Sequence, residues 1–173
     1  GDHHTFFADE LEFLKRLLRK ICTGSLNSSI LVVRLHPTSG ITERYIKEFK
    51  DKALPIRFDY PDDSFAAENT WSVGQPKSVI RFVELMKFSS VVINHSSTIA
   101  LDAAFFDTPV ICICFRLTSS KNPWENPSFS YSSSHYRRVR DSGAVDLPAS
   151  MGDLYEAIAN AISYPEEKAR QRD

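Results

Sequence analysis

Asn94-His95-Ser96-Ser97-Thr98 gathers an amide, an imidazole and three hydroxyls between the apolar run Val91-Val92-Ile93 and the helix-forming stretch Ile99-Ala100-Leu101-Asp102-Ala103-Ala104-Phe105-Phe106. A strand that ends in such a run and turns into a buried helix directs free backbone N–H groups, the positive end of the helix dipole and the hydroxyls at one spot. That combination suits a phosphate group. Simple capping is the alternative: a Ser97 or Thr98 oxygen accepting from the first-turn amides stabilises a helix by about 0.5–2 kcal/mol. A helix needs only one cap residue, however. Asp102, four residues after Thr98, shares its helix face one turn deeper, where a carboxylate can grip ribose hydroxyls.

Arg34-Leu35-His36-Pro37 closes an earlier apolar strand. A histidine at a strand end donates to a phosphate oxygen or neutralises a leaving diphosphate, as either a charged or a neutral donor. Arg34 is two residues away and so shares a face with His36 in a regular strand; its alternative is an ion pair tying the strand to a helix. Residues 116–134 read as a long loop carrying Lys121, Trp124, Glu125, Phe129 and Tyr131, followed by His135-Tyr136-Arg137-Arg138 at a helix start. Loops of that length are often functional. Its aromatics suit contact with a sugar or an acceptor, and His135 and Tyr136 suit the phosphates. The alternative is a loop that packs its own aromatics or is covered by another domain. Trp71 fits core filling better than base stacking. Asp59-Tyr60-Pro61-Asp62-Asp63 fits a solvated turn, and His3-His4 cannot readily ligate one ion from an ordered backbone, so no metal is expected. There is no Gly-rich dinucleotide fingerprint, Walker loop, nucleophile elbow or zinc spacing.

The elements that must position these groups follow from periodicity. Phe6 to Ile21 place apolar residues at helical spacing with Lys15, Arg16, Arg19 and Lys20 between them, which predicts an amphipathic helix over 6–22. Ile30-Leu31-Val32-Val33-Arg34-Leu35 reads as a strand buried on both faces. Helices are expected over 41–53, 77–88, 97–106, 134–141 and 151–163, and strands over 55–60, 90–94, 109–115 and 144–147, with a further short strand near Trp71. Alternating strands and helices with apolar strands predict an α/β domain whose mostly parallel sheet, of about six strands, is covered by helices on both faces. Ligands in such open sheets bind beyond the carboxyl ends of the strands. His36, the 94–98 run and the loop after Phe115 fall on that edge.

The 173 residues fit one domain, divided as an N-terminal helix and linker over 1–28, a nucleotide-binding domain over 29–164 and a charged, fraying tail from 165. With 21 basic against 22 acidic residues the net charge is −1, which gives no general attraction to nucleic acid or an anionic membrane. The three cysteines, Cys22, Cys112 and Cys114, are expected to be reduced and buried. No apolar stretch approaches the roughly twenty residues that span a bilayer, so a cytoplasmic domain is expected.

Arg34-Leu35-His36-Pro37 followed by Asn94-His95-Ser96-Ser97-Thr98-Ile99-Ala100-Leu101-Asp102, with His135-Tyr136-Arg137-Arg138-Val139 and Ser142-Gly143-Ala144-Val145, resembles the C-terminal half of GT-B glycosyltransferases over about residues 28–163. The nearest flavour is that of bacterial surface-polysaccharide transferases and CDP-glycerol glycerophosphotransferases. The resemblance implies a Rossmann-like three-layer domain in which His36, Ser96, Ser97 and Thr98 contact a donor diphosphate. It also implies that Asp102 takes the place of the acidic residue that binds ribose. Many such enzymes have glutamate there; the shorter aspartate suits a bridging water. It further implies transfer of a sugar or alditol phosphate from a CDP, UDP or GDP donor without metal or cofactor, helix-end amides and basic groups stabilising the leaving nucleotide. His36 is then the catalytic candidate, and Arg34, Asn94, His95, His135 and Tyr136 join the substrate-binding set. The acceptor domain is expected on a separate half, and any membrane association through the full-length protein at the inner face of the membrane. A UDP-N-acetylglucosamine 2-epimerase-like domain and a non-catalytic phosphate-binding or assembly module are the competing assignments.

Overall fold

The structure is a computed structural model that describes residues 9–24, 26, 28–35, 42–49, 53–59, 76–118 and 127–172. His36, His3-His4, Asp62-Asp63, Trp71, Lys121, Trp124 and Glu125 lie outside the described residues, as does the strand expected near Trp71. The chain divides into two compact units, Gly1–Arg81 and Phe82–Asp173.

In the first unit, helix α1 (Glu10–Thr23) forms because Phe13, Leu14, Leu17, Leu18 and Ile21 recur on one face and are buried there, with Glu10 and Glu12 in the first turn and Lys20 in the last, each favourable to the helix dipole. Strand β1 (Leu31–Arg34) pairs in parallel with β2 (Ile56–Asp59), Leu31 opposite Ile56 and Arg34 opposite Asp59. The intervening helix α2 (Thr42–Phe49) adds Tyr45 and Phe49 to a core that also holds Leu14, Leu18, Val33, Leu35 and Ile56. Two polar contacts tie α1 to α2: the Tyr45 hydroxyl donates to Glu10 at 2.6 Å, and Lys15 pairs with Glu48 at 2.9 Å. The expectation that the first strand is buried on both faces is corrected, since Ile30 and Val32 are 63% and 43% exposed. Helices α1 and α2 cover the face of Val33 and Leu35, and Ile30 and Val32 lie on the opposite one.

Helix α3 (Pro76–Phe88) runs across the division between the units. The second unit continues with β3 (Val92–Asn94), α4 (Ile99–Phe105), β4 (Val110–Cys112), α5 (Pro127–Ser132), α6 (Ser134–Asp141), β5 (Val145–Asp146), α7 (Met151–Ser163) and α8 (Ala169–Arg172). β3, β4 and β5 form a parallel three-stranded sheet in that order. The chain is therefore α/β, but the described strands make two parallel sheets of two and three strands in place of one sheet of about six. The core of this unit gathers Met86, Val92, Ala100, Ala103, Val110, Cys112, Tyr131, Tyr136 and Val145. The Thr108 hydroxyl, itself buried, donates to the Met86 carbonyl at 2.6 Å and fixes the end of α3 to the approach to β4. α7 begins with a reciprocal cap: Ser150 Oγ accepts from the Asp153 N–H at 3.2 Å while the Asp153 carboxylate accepts from the Ala149 N–H at 3.1 Å.

Three expectations are corrected here. The loop expected over 116–134 contains α5, which opens on Pro127, a residue whose fixed φ and missing N–H suit a first helical position. The tail expected to fray forms α8 and is pinned. Lys168 pairs with Asp146 at 2.5 Å, and Arg172 pairs with Asp107 at 2.6 Å while also donating to the Pro165 carbonyl at 2.6 Å. Cys22 is exposed, Cys112 is buried and Cys114 is half-buried. Asp107 is 59% exposed but the Arg172 side chain only 3%, so Arg172→Ala removes packing as well as the pair and is expected to cost more than the roughly 1 kcal/mol of an exposed ion pair. The loss should shrink in high salt, which thermal midpoints of parent and variant at two ionic strengths will read.

Candidate site at the carboxyl end of β3

In a parallel sheet all strands present their carboxyl ends on one edge, and in the second unit that edge holds Asn94 at the end of β3 and Cys112 at the end of β4. The chain leaves β3 through a tight turn at 94–98. Ser96 adopts φ 44, in the left-handed region, at a cost of about 1–3 kcal/mol for a side chain other than glycine. Several contacts hold the turn. The Ser96 N–H donates to the Tyr131 hydroxyl at 2.9 Å, the Ser97 N–H to Asn94 Oδ1 at 3.2 Å and the Ile99 N–H to Ser97 Oγ at 3.3 Å. Ser97 and Thr98 carbonyls then accept the first helical bonds, from Ala100 and Leu101.

The expectation of several free N–H groups is thereby corrected: the N–H groups of Ser96, Ser97 and Ile99 are engaged, the first by Tyr131 and the other two by Asn94 and Ser97 of the turn itself. Thr98 stands at the N-cap position without a side-chain cap bond. Among the described residues neither its N–H nor its hydroxyl has a partner, and Ser97 and Thr98 are both exposed. The helix they open is short, and it is not buried as expected: Ala100 and Ala103 face the core while Leu101 and Phe105 are exposed. Asp102 is exposed on the same helix.

Asn94 organises the turn from below. Its Oδ1 accepts from Ser97 and lies 3.4 Å from the Tyr136 hydroxyl, while its Nδ2 is buried with no hydrogen-bond partner among the described residues. Such an atom costs desolvation energy unless something outside the described residues satisfies it. The His95 ring lies edge-on to Tyr131 with centroids 5.8 Å apart, and burial lowers its pKa from 6.5 to about 4. At neutral pH this imidazole is uncharged and meets an anion only as a neutral donor.

Tyr136, expected among the substrate-binding residues, lies instead in the core at 1% exposure, its hydroxyl 3.1 Å from Cys112 Sγ. Burial raises the phenol pKa of both Tyr131 and Tyr136 and the thiol pKa of Cys112, so all three stay protonated. His135 falls in the first turn of α6.

Arg34 belongs to the first unit, where it forms an ion pair with Asp59 on the neighbouring strand, and Arg81 of α3 pairs with the same carboxylate at 3.0 Å. The ion-pair alternative is thus what the structure holds, with the correction that Arg34 pairs with a strand residue, Asp59, which in turn pairs with Arg81 of a helix. Asp59 is 9% exposed, and two guanidinium groups compensate its buried charge. Among the described residues no cluster of His, Cys, Asp and Glu suits a metal ion.

Cys112 was not among the expected site residues, and Tyr131, expected among the loop aromatics that suit a sugar or an acceptor, is instead buried in the core. A separate cleft of about 100 Å³, lined by Pro109, Val110, Asp146, Tyr164 and Lys168, opens at the amino ends of β4 and β5 and holds none of the expected site residues. Among the described residues no helix is long and apolar enough to cross a membrane. Compared as a whole with protein-family models, curated proteins and solved structures, the chain matches none, and the chemistry of the 94–98 turn is carried by its own residues.

Proposed function

We propose that the chain is the donor-nucleotide-binding half of a metal-independent glycosyltransferase or glycerophosphotransferase of GT-B type, acting in cell-surface polysaccharide synthesis from a CDP-, UDP- or GDP-linked donor. The observation that carries this reading is the exposed Ser97-Thr98 pair at the carboxyl edge of a parallel sheet, where Thr98 offers an N–H and a hydroxyl that no described residue uses. The diphosphate accepts from these groups and from the Ser97 hydroxyl. Asp102, exposed on the helix that follows, takes the ribose hydroxyls directly or through a water. His36 is assigned to the leaving diphosphate, and acceptor binding to a separate half; His95, neutral by burial, supports the turn. One observation favours the second reading, a non-catalytic assembly module: Phe105 and Leu101, one turn apart on α4, are 84% and 57% exposed.

A thermal-shift series with CDP, UDP, GDP, ADP and CDP-glycerol tests the first reading. A diphosphate at 100 times its dissociation constant stabilises the fold by about 2.7 kcal/mol. One nucleotide is expected to raise the midpoint of the parent, with the rise reduced in Ser97→Ala and Asp102→Asn while both variants unfold normally without ligand. Equal shifts in parent and variants remove the turn from consideration, and no shift with any nucleotide favours the assembly module.

A further inference from the structure

Tyr131 sits at 3% exposure in α5, and its hydroxyl bridges two backbone groups from different elements: it accepts from the Ser96 N–H and donates to the Ile113 carbonyl, each at 2.9 Å. The first of those groups belongs to the one residue of the 94–98 turn held at positive φ. A serine keeps a left-handed conformation only where its surroundings over-determine it. Here the surroundings include a buried phenol whose ring packs edge-on with His95 at 5.8 Å and with Tyr136 at 5.2 Å. The backbone of Tyr131 is itself held, since Arg140 of α6 donates to its carbonyl at 3.4 Å.

We propose that Tyr131 is the latch of the 94–98 turn: its hydroxyl holds Ser96 left-handed against the end of β4 and thereby sets where Ser97 and Thr98 stand. The segment that follows β4 thus controls the geometry of the segment that follows β3, two loops that meet on one edge of the sheet only in the folded chain. Tyr131 acts through Ser96 and is a positioning residue. The latch goes beyond the nucleotide reading and stands on the geometry of the turn alone.

Amide hydrogen exchange, read residue by residue by NMR without any ligand, tests it. In Tyr131→Phe, which removes the hydroxyl and keeps the ring, exchange at Ser96 and Ser97 is expected to accelerate at least about fivefold relative to amides of α7 such as Leu154, a local loosening in place of global unfolding. Adding Ser96→Gly, which adopts positive φ without the latch, is expected to restore slow exchange at Ser97. Unchanged exchange in Tyr131→Phe overturns the latch, and so does equal acceleration in the turn and in α7. If Tyr131→Phe alone does not fold, recovery of a folded unit by Ser96→Gly in the same chain supports the latch and its failure to recover overturns it. Since this readout contains no nucleotide, a loosened turn combined with no thermal shift by any nucleotide keeps the latch and sinks only the donor-site reading.

Discussion

Tyr136→Ala is expected to destabilise the second unit by about 3–5 kcal/mol, the range for removing a fully buried aromatic ring. At 1% exposure the ring is among the largest fully buried side chains, it lies edge-on to Tyr131 at 5.2 Å, and it shares one core with Val92, Cys112 and Val145. Truncation leaves a cavity that the parallel strands cannot close, because their spacing is set by hydrogen bonds along the backbone. Tyr136→Phe keeps the ring and loses only the contacts to Cys112 and Asn94, a cost of about 1 kcal/mol. Against a total stability of roughly 5–15 kcal/mol, that loss is a large fraction, and the alanine variant should unfold at a much lower urea concentration than the parent. Urea unfolding of the three proteins reads the ordering. An alanine variant as stable as the parent would return Tyr136 to the surface and to the ligand-contact role expected for it.

Acid is expected to weaken the same unit through His95. Burial holds the folded-state pKa near 4, below the usual 6.5. Between those values the unfolded chain binds a proton that the folded chain refuses, so stability is complete above about pH 6.5 and falls as pH drops toward about 4. The slope approaches 1.4 kcal/mol per pH unit, and the whole loss is roughly 3 kcal/mol. His95→Gln keeps a polar side chain of similar length and removes the titration. The difference in unfolding free energy between parent and variant should therefore narrow in the parent's disfavour from pH 7 to pH 4. Parallel curves would mean that His95 is not kept neutral by the fold. Folding stability is read with the nucleotide absent, so this outcome does not depend on what the turn binds.

Local pattern carried much of the architecture. The bounds of α6 and α7 were legible to the residue, and the cap formed by Ser150 and Asp153 shows that the start of α7 is held by groups within three residues of it. α1 was legible from its apolar stripe, and β1 to β5 from short apolar runs, although each strand came out shorter than its run because pairing ends where the partner strand ends. α5 was not legible, because a serine-rich stretch has weak helix propensity and is stabilised here by Tyr131 entering a core formed by distant residues. The tail was misread for a related reason: Lys168 and Arg172 look solvated until Asp146 and Asp107 are brought beneath them.

At the candidate site the division has the same origin. The sequence by itself determined that an amide, an imidazole and three hydroxyls stand between a strand and a helix, since their order along the chain requires no partner. Tertiary structure alone decided which of those groups remain available. Tyr131 takes the Ser96 N–H, Asn94 takes that of Ser97, burial keeps His95 neutral, and Thr98 is left with a free donor and hydroxyl among the described residues. It likewise turned Tyr136 inward and gave Arg34 to Asp59. Residue type states what a group can donate or accept; its neighbours, brought from 35 and 25 positions away for Ser96 and Arg34, decide whether that capacity is spent inside the fold.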